Sequence, residues 1–336
     1  MTIGRARGVA LLTAAATLMF ASGCSGSGST AAPPGVEKPD LNVAVVPALD
    51  SAGFFVALYE GLFAKEGLHV NFTPATSSDT VISAQVKGQY DITGGNYVSY
   101  IQAQADGEAN LDIFAEGSVM EPGDQGIYVM PDSPIKSLSD LRGRTVAINA
   151  PKNILYLLTA SVLAEHGLSA DSVKFVTNIP FPAMPAALAA GKIDAAVLPE
   201  PFASVAEQQD GAVSLVDLDQ GATTNFPVEG YVVTKQWAEK YPRTLAAFNT
   251  ALEQGQEIAD TDRAAVEQAM EDLPTKPVLL AVPKQIAAVV ALDDYPFNLS
   301  ALGSVDPVRL QRVVDVMQQF LGFQASFNVN SMLIGG

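Results

Sequence analysis

Short apolar strands and helical segments alternate along this chain at a pace that a layered α/β sheet accommodates, and the alternation runs twice. In the first run Leu41–Val46 is apolar and β-branched, and Phe54, Phe55, Leu58, Leu62 and Phe63 follow at helical spacing up to Gly67. Leu68–Phe72 reads as a strand, Asp79–Lys87 as a helix closed by Gly88, and Tyr90–Thr93 as a third strand. Asn96–Ala105 and Leu111–Ala115 add a further helix and strand. The second run has strand Arg144–Ile148, helix Asn153–Glu165, strand Val173–Val176, helix Ala183–Ala190 and strand Ile193–Leu198. Its joints echo the first: AKEGL around Gly67 returns as AEHGL around Gly167, and GQYDI from Gly88 returns as GKIDA from Gly191. Helix-Gly-strand joints are common, but two in register predict two related α/β lobes, each built on a parallel sheet.

Gly126–Met130 and Gly230–Thr234 are apolar strands that enter and leave the second run. They predict a second lobe, 127–230, inserted into a discontinuous first lobe, 41–126 and 231–336. The two crossing strands would then be a hinge that closes around a ligand. At 336 residues the chain is long enough for two such lobes. From Trp237 onward the pattern is mostly helical, with Ala246, Phe248 and Leu252 periodic and Arg309–Leu321 amphipathic.

The formal net charge of −17, with no basic run, disfavours nucleic acid or an anionic lipid headgroup as a partner of the fold. A single Cys excludes a disulfide framework, and two His leave little room for a metal site, so neither metal nor cofactor is expected.

The one Cys sits where an address ends. Arg5 and Arg7 precede the apolar run Gly8–Ala21, too short to span a bilayer comfortably, and the run stops at Ala21-Ser22-Gly23-Cys24. That tetrapeptide resembles the lipobox of bacterial lipoproteins, with Ala21 where Leu is usual; the alternative is a secretory signal with an incidental Cys. Residues 1–23 are therefore expected to be a signal peptide, Cys24 the lipidated residue, and 24–40, rich in Ser, Gly, Ala and Pro, a flexible tether. The expected location is extracytoplasmic, lipid-anchored to the cell membrane.

Three stretches carry a family resemblance. GFFVALYEGLFAKEGLHV (Gly53–Val70), DLRGRTVA (Asp140–Ala147) and AAGKIDAAVLPEPF (Ala189–Phe202) resemble the extracytoplasmic substrate-binding proteins of ABC transporters, in the SsuA/THI5-like (NMT1-like) branch. The resemblance implies a two-lobed periplasmic-binding-protein-like (type II) α/β fold, with the ligand cleft between lobes joined by two crossing strands. It implies a monomer that partners a membrane permease and its cytoplasmic ATPase. It does not name the ligand, because members of one fold bind unlike molecules.

Ligands of parallel sheets collect at the carboxyl ends of the strands, which selects the candidate loops on topology alone. In the first run these supply Asp50, Ser51, Phe54, Thr76, Ser77, Ser78, Gly95, Asn96 and Tyr97; in the second, Asn149, Lys152, Asn153, Glu200 and Phe202. The Ser and Asn side chains would contact ligand or cap the helices they precede. Gly95 would let backbone approach a ligand or make a tight turn. Phe54, Tyr97, Tyr156 and Phe202 would wall the site or pack inside the lobes. Glu200, between two prolines, would face an N–H donor or complement a helix start. Lys152 is the one basic residue in these loops, and no Arg is among them. The excess of acid tilts the expected ligand toward one with amine or ring N–H groups, such as an aminopyrimidine thiamine precursor, ahead of a sulfonate, taurine or nitrate.

His69 and His166 fall at helix–strand joints on the opposite sheet edge, so Ser–His and Cys–His catalysis is not expected. A lipoprotein sensor subunit and a THI5-like enzyme remain the other readings, distinguished by partner and by turnover.

Overall fold

The two runs of strand and helix form two separate sheets. The structure, a computed structural model, describes residues 35–177, 179–271 and 305–334. Its strands are β1 (Asp40–Val45), β2 (His69–Pro74), β3 (Ile92–Asn96), β4 (Leu111–Val119), β5 (Gln125–Val129), β6 (Thr145–Ala147), β7 (Lys174–Val176), β8 (Ala195–Pro199), β9 (Val213–Asp217) and β10 (Pro227–Thr234). The first sheet has the order β2-β1-β3-β10-β4 and the second the order β7-β6-β8-β5-β9. The two orders are the same pattern, with β10 and β5 in corresponding places.

The sheets are mixed, which corrects the expectation of parallel ones. β10 runs antiparallel to β3 and β4, and β5 antiparallel to β8 and β9. The crossings force this. The chain leaves β4 at that sheet's carboxyl edge and starts β5 from the same side, so β5 must run back against its neighbours. The same happens between β9 and β10. β9 itself was not anticipated; its Val213 and Ser214 are exposed at the sheet margin, so it lacks the apolar run of the interior strands.

The helices follow the sequence closely: α1 (Ala52–Tyr59), α2 (Leu62–Lys65), α3 (Ser78–Val86), α4 (Tyr97–Ala105), α5 (Ile154–Glu165), α6 (Met184–Ala189), α7 (Phe202–Asp210), α8 (Lys235–Lys240), α9 (Pro242–Thr261), α10 (Arg263–Glu271) and α11 (Pro307–Leu321). Pro242 opens α9, where its missing N–H costs nothing, and Leu245, Phe248, Leu252 and Ala259 form its buried stripe. α9 lies so close to α1 that a Cβ on Gly255 would stand 2.3 Å from the Gly53 carbonyl oxygen. Asp306 caps α11, accepting from Val308 N–H at 2.8 Å, and Gly322 ends it in the left-handed region at φ 64°.

Two sets of contacts fasten segments outside the sheets to the rest of the fold. Glu37 accepts from Thr244 N–H at 2.8 Å, and Lys38 pairs with Asp91, so the part of the predicted tether from Val36 on is held against the fold. Arg312 of α11 donates to the carbonyls of Ala222, Thr224 and Asn225, gripping the second crossing between the sheets. The predicted signal peptide, Cys24 and the tether up to residue 34 lie outside the described residues, as does 272–304. No helix among the described residues is long and apolar enough to cross a membrane.

Candidate functional site

A cavity of about 40 Å³ lies where the two sheets meet, lined by residues of both. That volume holds on the order of three waters. The parallel strands deliver their carboxyl ends to it: Val46 and Ala48 beyond β1, Gly95 and Asn96 from β3, Asn149 beyond β6, and Pro199 from β8. The antiparallel crossing strands deliver their amino ends to the same place, Gln125 from β5 and Val228 and Glu229 from β10.

On the first sheet's side the polar wall is acidic. Asp50 stands in the 3-10 turn Leu49–Ser51, where its Oδ1 accepts from Ser118 Oγ at 2.9 Å. Burial pushes its carboxyl above the usual range, against the pull of that hydrogen bond. Burial, and then the Asp50 charge, push Glu229 up as well. Glu229 Oε1 lies 2.6 Å from Ser51 Oγ, which also lies 3.0 Å from the Val46 carbonyl oxygen. One hydroxyl hydrogen cannot serve both acceptors fully. The Val46 carbonyl also accepts from Ala48 N–H at 2.9 Å, so the Ser51 hydroxyl can donate to Glu229. Beside them Ser78 Oγ accepts from Asn96 N–H at 3.0 Å and from its Nδ2 at 2.9 Å, while Asn96 Oδ1 caps α4 through Ser99 N–H at 2.9 Å.

On the second sheet's side the wall is amide. Asn153 caps α5 through Tyr156 N–H at 3.4 Å, and its Nδ2 donates to Asn149 Oδ1 at 2.6 Å. Asn149 Nδ2 in turn reaches the Thr76 carbonyl of the first side at 3.5 Å. A second link joins the sides, Leu49 N–H to the Glu200 carbonyl at 3.4 Å. Gln125 is 2% exposed, and its Oε1 has no hydrogen-bond partner among the described residues. Phe181 closes the apolar side of the cavity and stacks on Phe202, ring centroids 5.5 Å apart.

The structure thus gathers Asp50, Ser78, Gly95, Asn96, Asn149 and Asn153 at one cavity. Other predicted residues go elsewhere, each for a physical reason. Phe54 is fully buried among Phe55, Phe63, Phe72, Tyr231 and Phe248, so it is core rather than cleft wall. Tyr97 is buried under β10, where a Cβ on Gly230 would lie 2.6 Å from its ring. Phe202 backs Phe181 and is also core. Ser51 lies beneath the cavity with Glu229, Thr76 offers its carbonyl, and Ser77 Oγ turns to Thr80 at 3.4 Å. Lys152, in the left-handed region at φ 53°, is exposed and lines two outer cavities instead. Glu200 takes the helix-start role: Ser204 N–H and Oγ donate to its two carboxyl oxygens at 3.2 and 2.8 Å. Burial pushes it up to about 7. Gly95 makes no turn; it lies within β3, where a Cβ would stand 2.3 Å from Ser78 Oγ.

Gln125, Glu229 and Ser118 were not anticipated. Gln125 and Glu229 follow from the strand carboxyl-end rule once the crossing strands are known to run antiparallel, since a reversed strand presents its start at that edge. Neither histidine lines the cavity: His69 is exposed beside Asp40, and His166 bonds the Val162 carbonyl.

Two mixed sheets of matching order, crossed twice by the chain, with a cavity at their junction, define the two-lobed periplasmic-binding-protein-like fold. The alkanesulfonate-binding protein SsuA from Xanthomonas axonopodis pv. citri, solved with MOPS bound, superposes with a TM-score of 0.71 over 88% of this chain and 98% of that one, at 19% identity. The chain belongs to the NMT1/THI5 like family, which it matches over residues 48–264. It is also similar to the bicarbonate transport ATP-binding protein CmpC of Synechocystis, 27% identical over 65% of this chain and 35% of that protein. The taurine-binding periplasmic protein of Escherichia coli is 29% identical over 62% of this chain and 63% of its own length. The chain therefore spans about a third of the first relative and under two thirds of the second.

Proposed function

We propose that the protein is the extracytoplasmic solute receptor of an ABC importer, capturing a small organic molecule between its lobes and delivering it to a permease with a cytoplasmic ATPase. The observation that carries this reading is the cavity at the sheet junction, whose walls come from both lobes and whose floor is formed by the starts of the two crossing strands. Closure about the crossings, at 120–124 and 218–226, favours bound ligand only if the closed state holds it better than the open one. The domain boundaries follow the sheets: lobe 1 before and after the crossings, lobe 2 between them. The relatives handle bicarbonate, taurine and an alkanesulfonate by name. Among the described residues the cavity is lined by Asp50 and Glu229 and by no Lys, Arg or His, which favours a ligand offering N–H groups, such as an aminopyrimidine of the thiamine-precursor kind, over sulfonate or nitrate. Taurine, with its ammonium group, is the second reading.

Small-angle scattering with and without ligand tests the receptor directly. Ligand-dependent compaction, and copurification of a permease and ATPase with a monomeric protein, are expected; a radius of gyration unchanged by every saturating ligand sinks it. At 100 times its Kd a ligand adds about 2.7 kcal/mol of stability, which thermal unfolding reads. Anchoring through lipid on Cys24 predicts that Cys24→Ser moves the protein from the membrane to the soluble fraction. The chemistry of the cavity offers binding rather than turnover, so no product is expected from a bound ligand.

A further inference from the structure

The proposed receptor leaves open what charge its ligand carries, and the cavity bears on that. Among its lining residues Asp50 and Glu229 are the two that ionise, and among the described residues no cation lines the cavity beside them. Near them stand the half-buried Asp124, whose Oδ2 accepts from Glu121 N–H at 3.0 Å, and the buried Glu200, held by Ser204. Four carboxyls this close, with no positive partner lining the cavity, shed charge by keeping protons. Burial and the neighbouring Asp50 charge favour a proton on Glu229, which bonds Ser51. Asp50, which accepts from the Ser118 hydroxyl, is the carboxyl best placed to carry the remaining charge.

Opposite this wall Gln125 Oε1 is buried in the cavity lining with nothing donating to it. A buried acceptor left unpaired carries a desolvation penalty of about 1–3 kcal/mol, and a donor on the ligand removes it. Asp50 from one lobe and Gln125 from the other thus both line a space of about 40 Å³. An anion placed there would meet acceptors on both sides. A neutral amide would satisfy one acceptor and bring an oxygen of its own.

Resting on the receptor reading, we propose that the cleft takes a small organic monocation of the ammonium or amidinium type, whose N–H groups are shared between Asp50 and Gln125 Oε1. An aminopyrimidine protonated on its ring presents such an edge, its ring N–H and exocyclic amino group forming an amidinium unit. A sulfonate or a bicarbonate ion presents none. Glu229, neutral already, stays a hydrogen-bonding partner of Ser51 and adds no charge. Gln125 stands at the start of β5 and Asp50 beyond the end of β1, so the ligand would bond the two lobes together as they close.

Three probes of nearly one shape separate charge from size: acetamidinium, acetamide and acetate, added to the purified protein at pH 7 and read by calorimetry and by melting temperature. Acetamidinium is expected to bind at least about tenfold more tightly than acetamide, with no binding of acetate. Asp50→Asn brings acetamidinium to within about threefold of acetamide, and Gln125→Met weakens acetamidinium about tenfold without lowering the melting temperature of the free protein. Tighter binding of acetate than of acetamidinium overturns the proposal, and so does equal binding of acetamidinium and acetamide. Taurine, nitrate and bicarbonate run alongside keep the two readings apart. If one of them binds while acetamidinium does not, the receptor stands and the cation falls; if none of the six compounds binds, both fall.

Discussion

The two sheets repeat one strand order, yet they bring different chemistry to the cavity they share. The first supplies acids, Asp50 and Glu229, and the second supplies amides, Gln125, Asn149 and Asn153. The first also carries α9 and α10, packed on α1, while α11 lies across both halves, against α4 of the first and α5 of the second. The scaffold was kept twice because strand order and crossing geometry decide whether the lobes can face each other. The side chains at the shared edge are free of that constraint, so they can diverge into one wall that holds charge and one that only bonds. If the receptor closes as proposed, the first half is the more heavily buttressed and the second is the half expected to move against it.

That contrast is broken or sharpened first at two glycines. Gly255 of α9 meets backbone of α1, where an added methyl would stand only 2.3 Å from the Gly53 oxygen and 2.6 Å from Ala57 Cβ. Gly255→Ala is expected to cost about 3 kcal/mol, because neither helix can move without uncovering Phe54 and Phe248. Gly126 of β5 meets the Tyr128 ring edge at 2.9 Å and the Val216 oxygen at 3.1 Å, so Gly126→Ala should cost about 1 kcal/mol as the ring turns aside. Urea unfolding of the two variants compares them. An equal loss would mean that the second half is packed as tightly as the first.

The next effect is electrostatic and belongs to the second half. Glu200 is raised by burial from 4.5 to about 7. An acid raised on folding stays protonated in the folded chain while the unfolded chain has already ionised. Between pH 4.5 and 7 the folded state binds more protons, so this group's contribution to stability falls as pH rises through that window. Glu200→Gln keeps an acceptor for Ser204 and removes the fall. It should be more stable than the parent at pH 8 by on the order of 2 kcal/mol and no more stable at pH 4. Melting curves of the two proteins that stay parallel from pH 4 to 8 would refute this.

How much of this could be read beforehand depended on what each residue answers to. The duplicated joints at Gly67 and Gly167, and at Gly88 and Gly191, answer to local backbone geometry, since all four glycines adopt positive φ, and they marked the two sheets. Asn96 and Asn153 answer to the helices that follow them, and the same local signal put both at the cavity. Gln125 and Glu229 answer to strand direction, which is settled only when the chain has crossed between sheets. Phe54 and Phe202 show the reverse failure. An aromatic at a helix start has the same spacing whether it faces a cleft or a core, and here the partners that decide, Phe248 and Phe181, lie far along the chain or on another element. Glu200 stood between two readings that one line of sequence cannot separate, and Ser204, one turn on, drew it to the helix.

The smallest effect divides the two asparagines that cap helices on either side of the cavity. Asn96 makes a close cap to Ser99 N–H at 2.9 Å and donates to Ser78 within its own sheet. Asn153 makes a longer cap at 3.4 Å and spends its amide on Asn149, which reaches across to Thr76. Both substitutions to Ala remove a cap worth about 1 kcal/mol, but Asn96→Ala also removes one of the two donors to the Ser78 hydroxyl and should cost more stability. Asn153→Ala frees Asn149 to turn away from Thr76, so its loss should fall on closure instead. The melting temperature of the free protein is expected to drop further for Asn96→Ala, and the ligand-induced compaction to weaken more for Asn153→Ala. If both variants lost stability and compaction in the same proportion, the two walls would be acting as one rigid body, and the division between a buttressed half and a moving half would have to be given up.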